Sequence, residues 1–205
     1  MIAAALVFLA HIYRYPGSSV SVFLFMRIYQ LVDDKHGFLY AYSPARRDGN
    51  YLPREVDDFL CEQAENTLDE NELDAIVNLY ILQAGGNRDG HCIFKTSDAT
   101  RQKIAEIIVG NLDQEDDLKL VYKSIVLLEE VRRGKSLDKG YLNTSSSGLS
   151  TLTTPEERRH WLDETGLPTA AEAYIKWWRS PNTWDQKKAT DPLSGTAAQF
   201  TGCCP

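Results

Sequence analysis

The feature that most constrains the fold is a stretch near the middle of the chain, QEDDLKLVYKSIVLLEEVRRG, residues 114–134. Acidic residues gather at its start, Arg132 and Arg133 stand near its end, and Gly134 follows. Negative charge stabilises the N-terminal end of a helix and positive charge its C-terminal end. Glycine readily adopts the left-handed conformation that ends many helices. The stretch therefore predicts a long α-helix that ends at Arg133.

Three stretches upstream carry the same helical pattern. Apolar residues recur every three or four positions over residues 52–66, 67–86 and 97–112, which is the spacing of an amphipathic helix. Pro53 suits a first helical turn, and Thr67 with Glu70 three residues later is a capping-box pattern. Four consecutive helices predict a mainly α fold. An α+β fold is the alternative, because the N-terminus could form a small β-hairpin.

The N-terminus consists of two apolar runs, residues 1–13 and 20–32, separated by RYPGSS. Each run is too short to cross a bilayer as a helix, and no basic leader marks a secretory signal. The Pro16–Gly17 pair predicts a turn. The two runs therefore form a small β-hairpin or a pair of packed helices, and membrane contact through residues 1–32 is a further alternative.

We divide the chain into three parts. Residues 1–133 form a helical core domain with the apolar N-terminal segment, and residues 134–153 form a Ser/Thr/Gly-rich connector. Residues 154–205 are a short helical C-terminal segment with a polar tail. This segment contains an aromatic cluster, and aromatic residues are enriched at interfaces as well as in cores. The cluster is our candidate partner-binding surface, formed by Trp161, Tyr174, Trp177 and Trp178.

Charge and motifs exclude several classes of function. The net charge of -7 argues against nucleic-acid binding, which needs clustered Lys and Arg. The four cysteines do not resemble the disulfide framework of a small secreted domain, so we expect reduced thiols in an intracellular, cytoplasmic protein. The four histidines form no metal-ligand pattern, and no glycine-rich phosphate-binding motif occurs. We expect neither metal nor cofactor.

The stretch GNRDGHCIF, residues 86–94, is open to three interpretations. In the simplest, Arg88–Asp89–Gly90 forms a turn between two helices, since Asp and Gly favour turns. Cys92, Ile93 and Phe94 then return to the core, where free cysteine is often buried.

A second interpretation rests on a similar stretch upstream, RRDGNYL, residues 46–52. Gly49 and Gly90 are 41 residues apart, and the region 44–108 resembles a pair of EF-hands. Calcium loops need oxygen ligands at positions 1, 3, 5 and 12. Pro44 and Gly85 occupy position 1 of the two loops and Thr96 occupies position 12 of the second. The resemblance therefore implies a degenerate EF-hand-like module without calcium.

The third interpretation is enzymatic. DGHCIF resembles the Asp–Gly–Asn–Cys–Leu–Phe element of ovarian-tumour-type deubiquitinases. The resemblance implies that Cys92 is a nucleophile, that the Asp89–Gly90 backbone helps to form an oxyanion site, and that His160, before Trp161, is the base. His91 replaces the family's Asn, and the 68 residues from Cys92 to His160 are few for that fold. A thiolate nucleophile also needs its histidine within hydrogen-bond reach.

No complete catalytic set accompanies the surplus of clustered aromatic and aliphatic residues. The sequence therefore favours a non-enzymatic protein-binding or assembly module that uses apolar and aromatic surfaces. Its partner is another protein or a second copy of the chain. The alternatives are a cysteine-dependent hydrolase with Cys92 and His160, and the degenerate EF-hand-like module.

Overall fold

A computed structural model describes residues 18–42, 52–84, 92–135 and 166–190, together with residues 11, 14, 15, 156, 160, 164 and 192. These residues form eight α-helices and one short 3₁₀ helix, and none of them lies in a β-strand. The mainly α fold predicted from the helical periodicity is confirmed. The helices are α1 Ser19–Leu31, α2 Lys35–Tyr42, α3 Arg54–Asn66, α4 Glu70–Gln83, α5 Asp98–Leu112, α6 Leu118–Arg133, α7 Leu167–Arg179 and α8 Trp184–Ala189, with the 3₁₀ helix Cys92–Lys95 between α4 and α5.

The helices pack around α6 and the pair that it forms with α5. Helix α4 contacts both of these helices and also carries α2, while α1 packs on α3. The 3₁₀ helix contacts α3 and α6, and α7 covers α5 and α6 from the C-terminal side. The apolar residues that these contacts bury belong to one cluster, which runs from Phe25 in α1 to Trp177 in α7.

Side-chain caps begin most of the described helices, and backbone hydrogen bonds end them. Helix α6 ends as predicted, because Gly134 adopts the left-handed conformation with φ of 65°. The capping box predicted at Thr67 is wrong, since Asp69 caps α4 by accepting a hydrogen bond from the backbone N–H of Asn71. A carboxylate is favoured there because its charge also meets the positive end of the helix. The Thr67 hydroxyl instead donates to Glu72 at 2.7 Å.

The β-hairpin considered for the N-terminus is wrong in its second arm, which is helix α1. The Ser18 hydroxyl accepts from the backbone N–H of Ser21 and so starts the helix. Phe25 and Tyr29 then lie one turn apart and are fully buried against the rings of Phe38, Tyr42 and Phe59. Valine and phenylalanine favour strands locally, but this packing outweighs their preference. The first arm, residues 1–13, lies almost wholly outside the described residues.

The longest described helix is α6, with 16 residues. None of the helices in residues 18–42, 52–84, 92–135 or 166–190 is long and apolar enough to cross a membrane. This agrees with the short apolar runs of the sequence, each of which falls below the roughly 20 residues that a spanning helix needs.

The C-terminal helices share the core of the rest of the chain. Leu167, Tyr174 and Trp177 are buried in the same apolar cluster as α4, α5 and α6. Most of the connector at 134–153 and most of residues 154–165 lie outside the described residues, so the division of the chain into three parts stays a prediction.

A buried ion pair fastens α7 and α8 to α6. Glu129 is fully buried and accepts hydrogen bonds from Arg132 at 2.6 Å, from Arg133 at 3.0 Å and from the Tyr174 hydroxyl at 2.7 Å. Arg132, 1% exposed, also donates to backbone carbonyls at the end of α8, those of Lys187, Lys188 and Thr190. These carbonyls have no donor within their own helix, so Arg132 satisfies them while its charge is balanced by Glu129.

We expect Tyr174→Phe to destabilise the protein by about 1.5–3 kcal/mol, the range for a hydrogen bond to a charged group. The substitution keeps the ring in the core but removes one donor from the buried Glu129 carboxylate. Urea unfolding measures the change. The matched control is Tyr122→Phe, on the half-buried side of α6, whose hydroxyl has no hydrogen-bond partner in the described part of the chain. Equal stability of the two variants would contradict the structural role of the Tyr174–Glu129 bond.

Candidate functional site

Cys92, the predicted nucleophile, lies at a buried polar junction of three elements. Asp57 of α3 is buried and accepts a hydrogen bond from the Tyr80 hydroxyl of α4 at 2.5 Å. Its second oxygen accepts from the backbone N–H of Cys92 at 2.8 Å. Cys61, one turn after Asp57, has its Sγ 3.6 Å from Tyr80 Oη, and its thiol lies close enough to Cys92 for the two to influence each other's pKa. The junction holds the 3₁₀ helix against α3.

The electrostatics of this junction keep both cysteines as thiols. Burial raises the pKa of Cys61 well above its usual range, and the interaction with Cys92 raises it further. Burial also raises the pKa of Cys92, to which the charges of Asp57 and Asp58 add. The Cys61 thiol and Lys95 oppose this rise without cancelling it. A cysteine nucleophile needs a lowered pKa, so the environment of Cys92 favours a structural thiol.

The predicted base, His160, is found in a different set of contacts. Its Nε2 lies 3.2 Å from Glu164 Oε2, and both side chains are exposed. Cys92 contacts Asp57 and Cys61, and no contact between Cys92 and His160 occurs among the described residues. The predicted oxyanion residues Asp89 and Gly90 lie outside those residues. The hydrolase therefore stays a prediction, without support from the thiol's surroundings.

The other two interpretations of the loop fare differently. Ile93 and Phe94 are buried, as expected for a segment that returns to the core after a turn. The EF-hand-like loops themselves fall largely outside the described residues. Thr96, at the last ligand position of the second loop, is buried and donates to the Ile93 carbonyl at 2.7 Å. In the described ranges, no group of three or more His, Cys, Asp and Glu side chains is placed to hold a metal ion.

The aromatic cluster lies in the seam where α7 and α8 cover α6. Tyr174 is fully buried and Trp177 nearly so, whereas Trp178 and Trp184 are half-buried. The ammonium of Lys187 lies 4.6 Å from the centre of the Trp178 ring. Trp161 lies outside the described residues. A partner on this side can therefore reach the edge formed by Trp178 and Trp184, and the partner-binding role of the cluster stays a prediction.

A second apolar surface is found on the outer side of α1. Val20 is 54% exposed, Phe23 57% and Leu31 81%. Arg27 lies between them, with its guanidinium 5.5 Å from the centre of the Phe23 ring. At 3.6 residues per turn, positions 20, 23, 27 and 31 follow one line along the helix, opposite the buried Phe25. We call these four residues the outer stripe.

The outer stripe was not among the predicted site residues, although the sequence carried its signal. Residues 20–32 are apolar without a helical period, so a helix built from them has apolar residues on all sides. Such a helix is buried on all sides or meets a further surface. The exposed apolar side could be located only once residues 20–31 were known to form a helix and not a strand.

Comparison of the chain with protein-family models, with curated proteins and with solved structures finds no match.

We expect Cys92 to be alkylated by iodoacetamide several-fold more slowly in the folded protein than in urea at pH 7.5. Its raised pKa lowers the thiolate fraction at that pH, so the rate should climb as the pH approaches the raised pKa, above the usual value of about 8.5. Peptide mapping by mass spectrometry separates Cys92 from Cys61, and the urea-unfolded chain is the reference for an unperturbed thiol. Faster labelling of Cys92 in the folded protein would instead indicate an activated nucleophile.

Proposed function

We propose that this chain is a non-enzymatic assembly module that binds a second copy of itself through the outer stripe of α1. The observation that carries the proposal is the alignment of Val20, Phe23 and Leu31, each more than half exposed, on the side of α1 opposite the core. Single exposed apolar residues are common on protein surfaces, but contiguous ones mark interaction sites.

Burial of this stripe would be favourable. Apolar surface removed from water contributes about 25 cal/mol per Å². Leu31 is exposed at the last turn of α1, and Phe23 shows more than half of its ring. The only charge on α1 is that of Arg27, which is already stacked on Phe23. Association therefore removes apolar area from water at little cost in desolvated charge.

The order of residues along the stripe favours a second copy as the partner. When two α1 helices pack antiparallel about a two-fold axis, Val20 of each copy lies opposite Leu31 of the other. Phe23 then lies opposite Arg27, so that each guanidinium meets an aromatic ring from the second copy as well as its own. A two-fold interface requires such a self-complementary surface, and contact of Arg with an aromatic ring is favourable. The same arrangement avoids placing the two Arg27 side chains directly opposite each other.

The size of the stripe sets the expected strength of the association. Four residues on one helix bury much less than the roughly 800 Å² per partner of a standard interface. We therefore expect a concentration-dependent dimer with a dissociation constant on the order of 10–100 µM. Such a weak self-association is suited to reversible assembly, in which local concentration determines the state of the protein.

We expect Leu31→Lys to shift the protein to a monomer at concentrations where the wild type dimerises, because the ammonium faces Val20 of the second copy and adds to the charge of Arg27. Since Leu31 is 81% exposed in the monomer, the substitution should leave the fold intact. Sedimentation-velocity runs from about 5 to 500 µM, a range that brackets the expected affinity, measure the effect. The matched control is Leu68→Lys, since Leu68 is equally apolar, 96% exposed and outside the stripe.

Three results would contradict the proposal. The first is a wild-type protein that remains monomeric over the whole concentration range. The second is a dimer that Leu31→Lys and Leu68→Lys weaken to the same extent, because association would then respond to net charge and not to the stripe. A dimer that both variants leave unchanged would move the interface elsewhere, and the edge formed by Trp178 and Trp184 would be the next surface to substitute.

A further inference from the structure

A cavity of about 440 Å³ opens where the end of α6 meets α5 and the end of α8. Five of the residues that line it are cationic, in a chain whose net charge is -7. The others are Ala189 and Thr190. The carboxylates that pair with these cations among the described residues are Asp98, Glu129 and Asp185. Among the described residues, these three carboxylates leave an excess of two positive charges at the cavity, whose cations are Arg101, Arg132, Arg133, Lys135 and Lys188.

Two of the lining guanidiniums have donors that lack an acceptor within the described ranges. The Nε atoms of Arg101 and Arg132 are buried, and neither has a hydrogen-bond partner in the described part of the chain. Arg132 is 1% exposed, so its Nε–H has little access to water. Buried donors in native structures nearly always have partners. The two guanidiniums beside the cavity therefore keep hydrogen-bonding capacity that the described chain leaves unfilled.

The guanidiniums are held in place before any ligand binds. Glu129 and the carbonyls at the end of α8 fix Arg132. Arg101 pairs with Asp98 and lies against Gly134, where a Cβ atom would come within 2.0 Å of its Nη1. Glycine at position 134 thus ends α6 and also leaves room for the Arg101 side chain. Groups that are already ordered lose little entropy on binding.

Two neighbours complete the polar lining. The hydrogen bond with Asp98 raises the pKa of Lys188, so its ammonium stays charged at neutral pH. The Thr190 hydroxyl accepts from the Trp177 indole at 3.1 Å, and its own proton has no acceptor among the described residues. Arginine forks match the oxygens of phosphate groups in geometry and charge.

We infer that this cavity binds the phosphate group of a small phosphorylated molecule. The cavity volume lies within the roughly 300–1,000 Å³ typical of small-molecule sites. This volume is larger than a bare phosphate needs and leaves room for a short organic group. The described part of the lining is mostly polar and contains no aromatic side chain, which suits a hydroxylated group such as a sugar. The site is independent of the outer stripe and does not rest on self-association.

Isothermal titration calorimetry with inorganic phosphate, ribose 5-phosphate and unphosphorylated ribose tests the inference, at constant ionic strength set with sodium chloride. We expect ribose 5-phosphate to bind at least a few-fold more tightly than phosphate, and ribose not to bind. ³¹P NMR line broadening of each phosphate at substoichiometric protein gives a second readout. Because charged contacts are screened by salt, affinity should fall as sodium chloride is raised.

Substitutions locate the binding to this cavity. Arg101→Gln and Lys135→Gln should each weaken ribose 5-phosphate binding by about tenfold, the loss of one charge-assisted contact. Arg101→Lys should lie between wild type and Arg101→Gln, because it keeps the charge but not the fork. Lys135 is exposed, so its substitution tests the site without disturbing the core. Lys103→Gln is the matched control, since Lys103 is an exposed cation of α5 outside the lining.

Three results would overturn the inference. One is the absence of phosphate-dependent heat and line broadening at 10 mM ligand, a concentration on the order of the weakest affinities that define a binding site. Another is an equal loss of affinity in Lys103→Gln and in the two lining variants, which would show a general charge effect. The third is ribose 5-phosphate binding no more tightly than inorganic phosphate, which would exclude the small organic phosphate as the ligand.

Discussion

The buried pair of Glu129 and Arg132 is the interaction on which the C-terminal half of the structure depends. Both residues lie on the last turns of α6, where the charge of each is balanced in the core by the other. Removing one member of a buried pair leaves an uncompensated charge and costs about 3–5 kcal/mol. Tyr174 binds the carboxylate and the end of α8 binds the guanidinium, so two helices join the core through polar contacts and not by apolar burial alone.

The same arginine connects the fold to the proposed anion site. Arg132 uses its two terminal nitrogens on Glu129 and on α8, and its Nε remains buried without a partner in the described chain. A residue committed to packing is thereby held rigidly at the wall of a cavity. A side chain binds a ligand better when contacts other than those to the ligand hold it in position. The structural and the proposed binding role of Arg132 are thus compatible, and the exposed Lys135 supplies a part of the site that packing does not need.

The two sites anticipated from sequence show how tertiary contacts decide reactivity and exposure. Cys92 carried the motif of a nucleophile, yet Asp57 and the surrounding core raise its pKa and favour a thiol. The tryptophan-rich segment was expected to face a partner, yet Tyr174 and Trp177 are buried, whereas Trp178 and Trp184 are half-buried. The outer stripe and the cationic cavity are formed by residues that come together only in the folded chain. No short sequence motif therefore reveals them.

The sequence by itself determined the helical class and most boundaries of α3 to α6, because apolar spacing, charge at helix ends and a terminal glycine act within a few residues. Gly134 illustrates this, since its left-handed conformation follows from local sterics. The tertiary structure alone decided that residues 19–31 are helical and that Arg101 and Lys188 pair with the same carboxylate, that of Asp98. It also decided which aromatic rings are covered. These outcomes depend on contacts between residues far apart in the chain, whose energies exceed local preference.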